Sequence, residues 1–268
     1  MLRVKLSVVY ALGLMTVALS LAGCSSVPVD KTAGMSPNAI YADAKDSADN
    51  GQYDKAIPML EKLEARAAGT PLAQQAQLDK AYAQYKTGEP AQAIATLDRF
   101  MKLHPASPAL DYALYLKGTI NFNDDLGLFS AISRQDLSER DQKASKEAFE
   151  AFKELVTRFP DSRYAADATQ RMNYIVGSLA QYEVHVARYY YKRAAYLAAI
   201  NRAQTAISDY RNVPALEEAM FIIYKSYDAL GMTQLRDDAK RVLEASYPQS
   251  EFLTKGARTA TDPWWKVW

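Results

Sequence analysis

One cysteine in a chain of 268 residues excludes an intramolecular disulfide. The two histidines, His104 and His185, stand far apart and in no metal-ligand spacing, so each reads as structural. Charge of one sign is missing too: 32 basic residues face 31 acidic ones, without the clustered cationic surplus that nucleic-acid binding needs. There is no phosphate-binding glycine loop, no Gly-x-Ser-x-Gly elbow and no second thiol. The many carboxylates sit beside Lys and Arg at helical spacing, as solvated ion pairs do. No catalytic constellation, metal site or cofactor site is read, and a protein that is not an enzyme is expected. No stretch alternates apolar and polar residues as a strand does. With 49% hydrophobic and 24% charged residues the chain can nonetheless bury a core.

The one thiol lies in "LSLAGCSS". Before it come a basic start with Arg3 and Lys5, an apolar run from Leu6 to about Leu21, and the small residues Ala22 and Gly23. That order is a secretory signal peptide, predicted over residues 1–23. The apolar run falls short of the ~20 residues that span a bilayer and is interrupted by Ser7, Thr16 and Ser20. "LAGC" resembles the bacterial lipobox, whose cysteine is acylated, with palmitate among its chains, and becomes the first mature residue. Cys24 is thus the expected lipidation site, and several acyl chains at ~0.8 kcal/mol per buried methylene hold a protein on a membrane. Such lipoproteins tend to stay in the inner membrane when Asp follows the cysteine; here Ser25 follows, which implies the periplasmic face of the outer membrane. Residues 24–36 are small and polar and read as a flexible linker.

From residue 37 to 248 the pattern is helical and repeats. "GQYDKAIPMLEKL" (Gly51 to Leu63) aligns without a gap on "GEPAQAIATLDRF" (Gly88 to Phe100). "FMKLHP", "LVTRFP" and "LEASYP" end alike at Pro105, Pro160 and Pro248. A glycine turn, a small residue five positions on and a terminal proline build a helical hairpin: the glycine stops one helix, the small side chain lets the next approach, and the proline closes the unit. The spacing predicts an all-α, tetratricopeptide-like solenoid of about five hairpins, with period near ~34 and a concave side suited to proteins or peptides.

Two irregularities stand out. Gly118 and Ala148, which should lie ~12 residues apart, are separated by a further ~18, so the third hairpin carries an insertion, "NDDLGLFSAISRQDLSERD". Two readings of it stand: a functional or disordered loop, or one whose apolar residues fold back over a groove. In the fourth hairpin, Tyr164, Ala168, Met172, Ile175, Leu179, Tyr182, Val186 and Tyr189 recur every three or four residues without a proline, predicting one long helix that projects beyond its neighbours. Its end, with Tyr189, Tyr190 and Tyr191, is a candidate protein contact, packed aromatics being the alternative. Arg202 has only Ala198, Ala199, Thr205 and Ala206 around it on its own helix, none able to pair with a guanidinium, which leaves it open to a partner's carboxylate or simply to water. Residues 249–268 form an aromatic tail holding every tryptophan, Trp264, Trp265 and Trp268, which should dock on the last hairpin, on a partner or at a membrane.

Taken together, the lipobox, "NAIYADAKDSADNGQYDKAI", "LDRFMKLHP", "DYALYLKG", "DLSERD", "AFKELVTRFPDS" and "YYYKRAAYLAAINR" resemble the BamD family, the lipoproteins of the β-barrel assembly machinery. The resemblance runs from Cys24 to about Tyr247. It implies a scaffold that binds the periplasmic domains of BamA, associates with BamC and BamE, and contacts unfolded outer-membrane proteins before insertion. It also implies that Arg202, the arginine of the "NR" pair, salt-bridges the last periplasmic domain of BamA. Tyr189, Tyr190, Tyr191 and, in the insertion, Asp136, Arg140 and Asp141 are the other expected partner contacts. Two departures limit the transfer: "ARAAGTP" replaces the family's "RYPFG" between the first hairpins, and "DPWWKVW" extends past the last. The rival is a tetratricopeptide envelope lipoprotein that regulates cell-wall synthesis. A lytic transglycosylase would need a further domain for which no residues remain.

Overall fold

The computed structural model describes residues 32–122 and 142–255. The signal segment, Cys24, the start of the linker, the insertion and the tail beyond residue 255 lie outside the described residues. Within them the chain forms eleven helices and no strand. They pair as five antiparallel hairpins: α1 (Pro37–Asp49) with α2 (Tyr53–Arg66), α3 (Pro71–Lys86) with α4 (Pro90–Leu103), α5 (Leu110–Phe122) with α6 (Gln142–Arg158), α7 (Ala165–Lys192) with α8 (Tyr196–Asp209), and α9 (Ala215–Ala229) with α10 (Thr233–Ser246); a short α11 (Glu251–Lys255) follows. The architecture is the expected tetratricopeptide-like solenoid, with the insertion in the third hairpin and the longest helix in the fourth.

The local chemistry explains the turns. Ser36 and Thr70 cap α1 and α3 by accepting from the amides of Ala39 and Ala73, and Pro37, Pro71 and Pro90 occupy first-turn positions where no amide donor is missed. Between the helices of the first, second and fifth hairpins, Gly51, Gly88 and Gly231 adopt φ of 73°, 79° and 70°. The next amide then reaches back over the helix end: Gln52 donates to the Ser47 carbonyl, Glu89 to Gln84 and Met232 to Tyr227. In the first four hairpins the paired helices carry small residues at matching positions. Ala44 and Ala56, Ala81 and Ala93, and Ala187 and Ala199 are fully buried, and the third hairpin uses Gly118 with Ala148.

The long helix does not project. Its first half, with Ala168, Ile175 and Leu179, closes the core of the third hairpin around Leu114, Phe152 and Leu155. Its second half, with Ala180, Val184 and Ala187, packs on Ala199, Ala203, Leu216, Ala219 and Ile222 of α8 and α9. At about 42 Å for 28 residues, α7 has length enough to serve two cores and so splices the halves of the solenoid. The linker also ends earlier than expected. Thr32 to Met35 form a turn, with Gly34 at φ 81°, the Met35 amide donating to the Thr32 carbonyl, and Arg66 Nη1 donating to that carbonyl at 2.6 Å. Met35 packs on the first core, so residues 32–36 belong to the folded unit.

The first two hairpins are also tied by charge. Glu64 on α2 accepts from Lys80 Nζ (2.9 Å) and Gln77 Nε2 (2.9 Å) on α3 and from Arg99 Nη2 (2.7 Å) on α4. Burial alone would raise the Glu64 carboxyl, but the bonds from Lys80 and Gln77 and the neighbouring cations hold it below its ordinary value of 4.5. A depressed carboxylate stabilises the fold above its unfolded pKa and loses that contribution as pH falls through the folded one. The melting temperature of Glu64→Gln should therefore lie below wild type at pH 7, with the gap closing as the pH drops under about 4. A gap independent of pH would contradict this role.

Candidate partner-binding face

The face carrying Arg202 is built on the second half of α7, on α8 and on α9. Its turn is the anomaly of the repeat. Ala195 donates to the Tyr190 carbonyl and Ala194 to that of Tyr191, the same closure as in the other hairpins, yet the left-handed position is held by Ala194 at φ 58°. A side chain there costs about 1–2 kcal/mol against glycine. Ala194→Gly is expected to raise stability by about 1 kcal/mol in urea denaturation, without changing the slope; no gain would mean that the turn is not strained.

Two ion pairs hold the face. Arg188 on α7 grips Glu218 on α9 with two hydrogen bonds, Nε to Oε1 at 2.5 Å and Nη2 to Oε2 at 2.7 Å, in a site where the carboxylate side chain is 5% exposed. Arg202 on α8 donates from Nη1 to Glu183 Oε2 on α7 at 3.1 Å. The Glu183 side chain is 10% exposed and that of Arg202 46%. Arg202 thus lacks a carboxylate on its own helix, as its neighbours predict, but takes one from the facing helix. Among the described residues its other N–H groups make no hydrogen bond, so half of the guanidinium stays available to a second acceptor. Tyr210 lies near enough that burial, and then the Glu183 charge, push its phenol up.

The three tyrosines divide. Tyr190 and Tyr191 pack against the core of α7, α8 and α9, whereas Tyr189 is half exposed, edge-on to Tyr190 and covered by the Arg193 guanidinium at 4.7 Å. His104 packs on Phe100, and His185 is exposed on α7. Asp136, Arg140, Asp141, Cys24, Trp264, Trp265 and Trp268 lie outside the described residues.

A second feature is absent from the sequence reading. The first helices of successive hairpins lie side by side and share a row of tyrosines and carboxylates. Tyr41 of α1 donates to Asp79 of α3 at 3.0 Å, and Tyr115 of α5 donates to Asp167 of α7 at 2.8 Å. Tyr115 stacks on Tyr164, which also contacts Tyr112. Burial and the Asp79 charge push the Tyr41 phenol up to about 12 and raise Tyr112 further; burial raises Asp79 itself. Beside Asp79 open two hollows of about 330 and 510 Å³, the first reaching Tyr53 and Tyr82, the second Tyr112, Arg163 and Tyr164. The pairs are 38 and 52 residues apart, one repeat period each once the insertion is discounted, and that period was the only available signal.

A stacked array of helical hairpins, with a half-free arginine on one face and tyrosine-lined hollows along its first helices, is a tetratricopeptide-like solenoid. The chain belongs to the BamD family: the family model for YfiO, outer membrane lipoprotein, matches residues 33–243. It is 44% identical to the outer membrane protein assembly factor BamD of Neisseria meningitidis serogroup A over 264 residues, 98% of this chain and 99% of that one. It is 34% identical to the factor of the same name from Vibrio cholerae over 232 residues, 87% and 95% of the two chains. Among solved structures, the MamA protein covers 84% of this chain and 97% of its own at 19% identity and a TM-score of 0.38, too distant to add to the fold read from the contacts.

Proposed function

We propose that this chain is a scaffold, without catalytic activity, of the machinery that assembles proteins into the outer membrane. It is held on the periplasmic face by acyl chains on Cys24, and Arg202 offers its free edge to a carboxylate of the BamA periplasmic domains. The observation that carries the reading is the state of Arg202: oriented by a nearly buried Glu183, yet half exposed with N–H groups to spare. A guanidinium already fixed on one side loses less side-chain freedom when a partner engages the other. Among the described residues no helix is long and apolar enough to cross a membrane. The tyrosine-lined hollows suit contact with extended segments of unfolded outer-membrane proteins, since phenol rings give apolar area together with a polar tip. BamC and BamE complete the proposed partners, with Tyr189, Asp136, Arg140 and Asp141 as contacts.

The test is affinity purification of the tagged chain from detergent-solubilised membranes. Recovery of BamA supports the scaffold; recovery of a cell-wall synthase in its place would support the regulatory lipoprotein instead.

A further inference from the structure

The last hairpin is finished differently from the others. In α2, α4, α6 and α8 three or four residues are buried, but in α10 only Leu243 is. Where the fifth hairpin has Leu235, the matching positions hold Lys55, Gln92, Glu147 and Ala198; where it has Val242, they hold Lys62, Arg99, Glu154 and Thr205. Four hairpins thus place polar or small residues on this outer row, and the last alone places large apolar ones. Leu235 and Val242 are 46% and 50% exposed, and Met232, one turn before, is 40% exposed. A terminal repeat ordinarily turns a polar face to water, so an apolar row here calls for a cover.

The chain itself begins to supply one. After α10 it turns back, and Phe252 of α11 inserts against Phe221 and Leu243, its ring 5.5 Å from that of Phe221. Residues 256–268 follow, and they contain every tryptophan of the protein. Trp264 stands nine positions beyond Lys255, a reach of up to about 30 Å. Helix α10 is only about 21 Å long, so the indoles can reach any point on its outer row.

We propose that the segment 256–268 folds back as a cap, seating the indoles of Trp264, Trp265 and Trp268 on the row of Met232, Leu235 and Val242. The occupant is the chain's own tail, because Phe252 holds the end of α11 on this same hairpin, the thirteen residues beyond it are long enough to reach the row, and the row's composition departs from the repeat only here.

Intrinsic tryptophan emission reports on the tail alone. The full chain in mild detergent should show blue-shifted emission, shielded from acrylamide and unchanged on dilution. Leu235→Lys with Val242→Arg restores the residues of the other hairpins and leaves Leu243 in place. It should move the emission to the red and raise quenching toward that of free tryptophan, while circular dichroism stays that of wild type. Blue emission that survives the double substitution would overturn the cap. So would red emission in the wild-type chain, blue emission that appears only when the BamA domains are added, or blue emission lost on dilution, which would place the tail on a second copy.

Discussion

Glu218→Ala is expected to lower the stability of the solenoid by about 3–5 kcal/mol, seen as a fall in the urea midpoint. Removing the carboxylate strands the Arg188 guanidinium, whose side chain is 18% exposed and whose two hydrogen bonds both end on Glu218. The pair also joins α7 to α9, the first helices of the fourth and fifth hairpins, so its loss loosens the direct contact between those two hairpins. The size of the effect comes from the unpaired cation rather than from the pair's net worth. Arg188→Met combined with Glu218→Ala should therefore recover much of the loss, since an apolar side chain of similar volume needs no counter-charge. A loss below about 1 kcal/mol in the single variant would class the contact with exposed surface pairs.

Gly118→Leu is expected to be nearly as severe, at roughly 3 kcal/mol. Gly118 lies inside α5, where glycine costs about 1 kcal/mol against alanine, so something must require it. A Cβ at this position would fall 2.4 to 2.8 Å from three atoms of the Phe152 ring. That ring is fully buried between Tyr115 and Phe122 and cannot swing away. Gly118→Ala should cost less, because its gain in helix propensity opposes the clash. Phe152→Leu should become less harmful in the Gly118→Ala background than alone, the non-additivity expected of two residues sharing one space. Strict additivity would mean that the close approach of α5 and α6 does not set the requirement.

The hairpins were legible because their chemistry is local. Gly51 and Gly88 sit in turns that need positive φ, and the buried Ala56 and Ala93 follow at a fixed distance, so the repeat is visible in the residues that cause it. The fourth hairpin hides its turn because Ala194 accepts the strain that glycine avoids elsewhere. The length of α7 could be read from its apolar spacing, but not its double allegiance: periodicity reports that a stripe is buried, not by which neighbour. The same limit applies to the site. That Arg202 lacks a carboxylate on its own helix follows from Ala198, Ala199, Thr205 and Ala206. Its partner Glu183 lies 19 residues away across the hairpin, and only the packing of α7 on α8 brings it to 3.1 Å. Likewise the Tyr41–Asp79 and Tyr115–Asp167 pairs join separate repeats.

The central claim is that the free edge of Arg202 binds a carboxylate of the BamA periplasmic domains. Charge reversal tests it poorly, because Arg202→Glu would set a second carboxylate beside the nearly buried Glu183 and destabilise the fold. The cleaner measurement is isothermal titration of those domains with two variants, Glu183→Gln alone and Glu183→Gln with Arg202→Ala. Both lack the internal ion pair, so their melting temperatures should agree. The account predicts that the double variant binds at least ~30-fold more weakly than the single one, the loss of about 2 kcal/mol or more expected when one partner of an interfacial charge pair is truncated. Equal affinities for the two variants, with both folded, would contradict it.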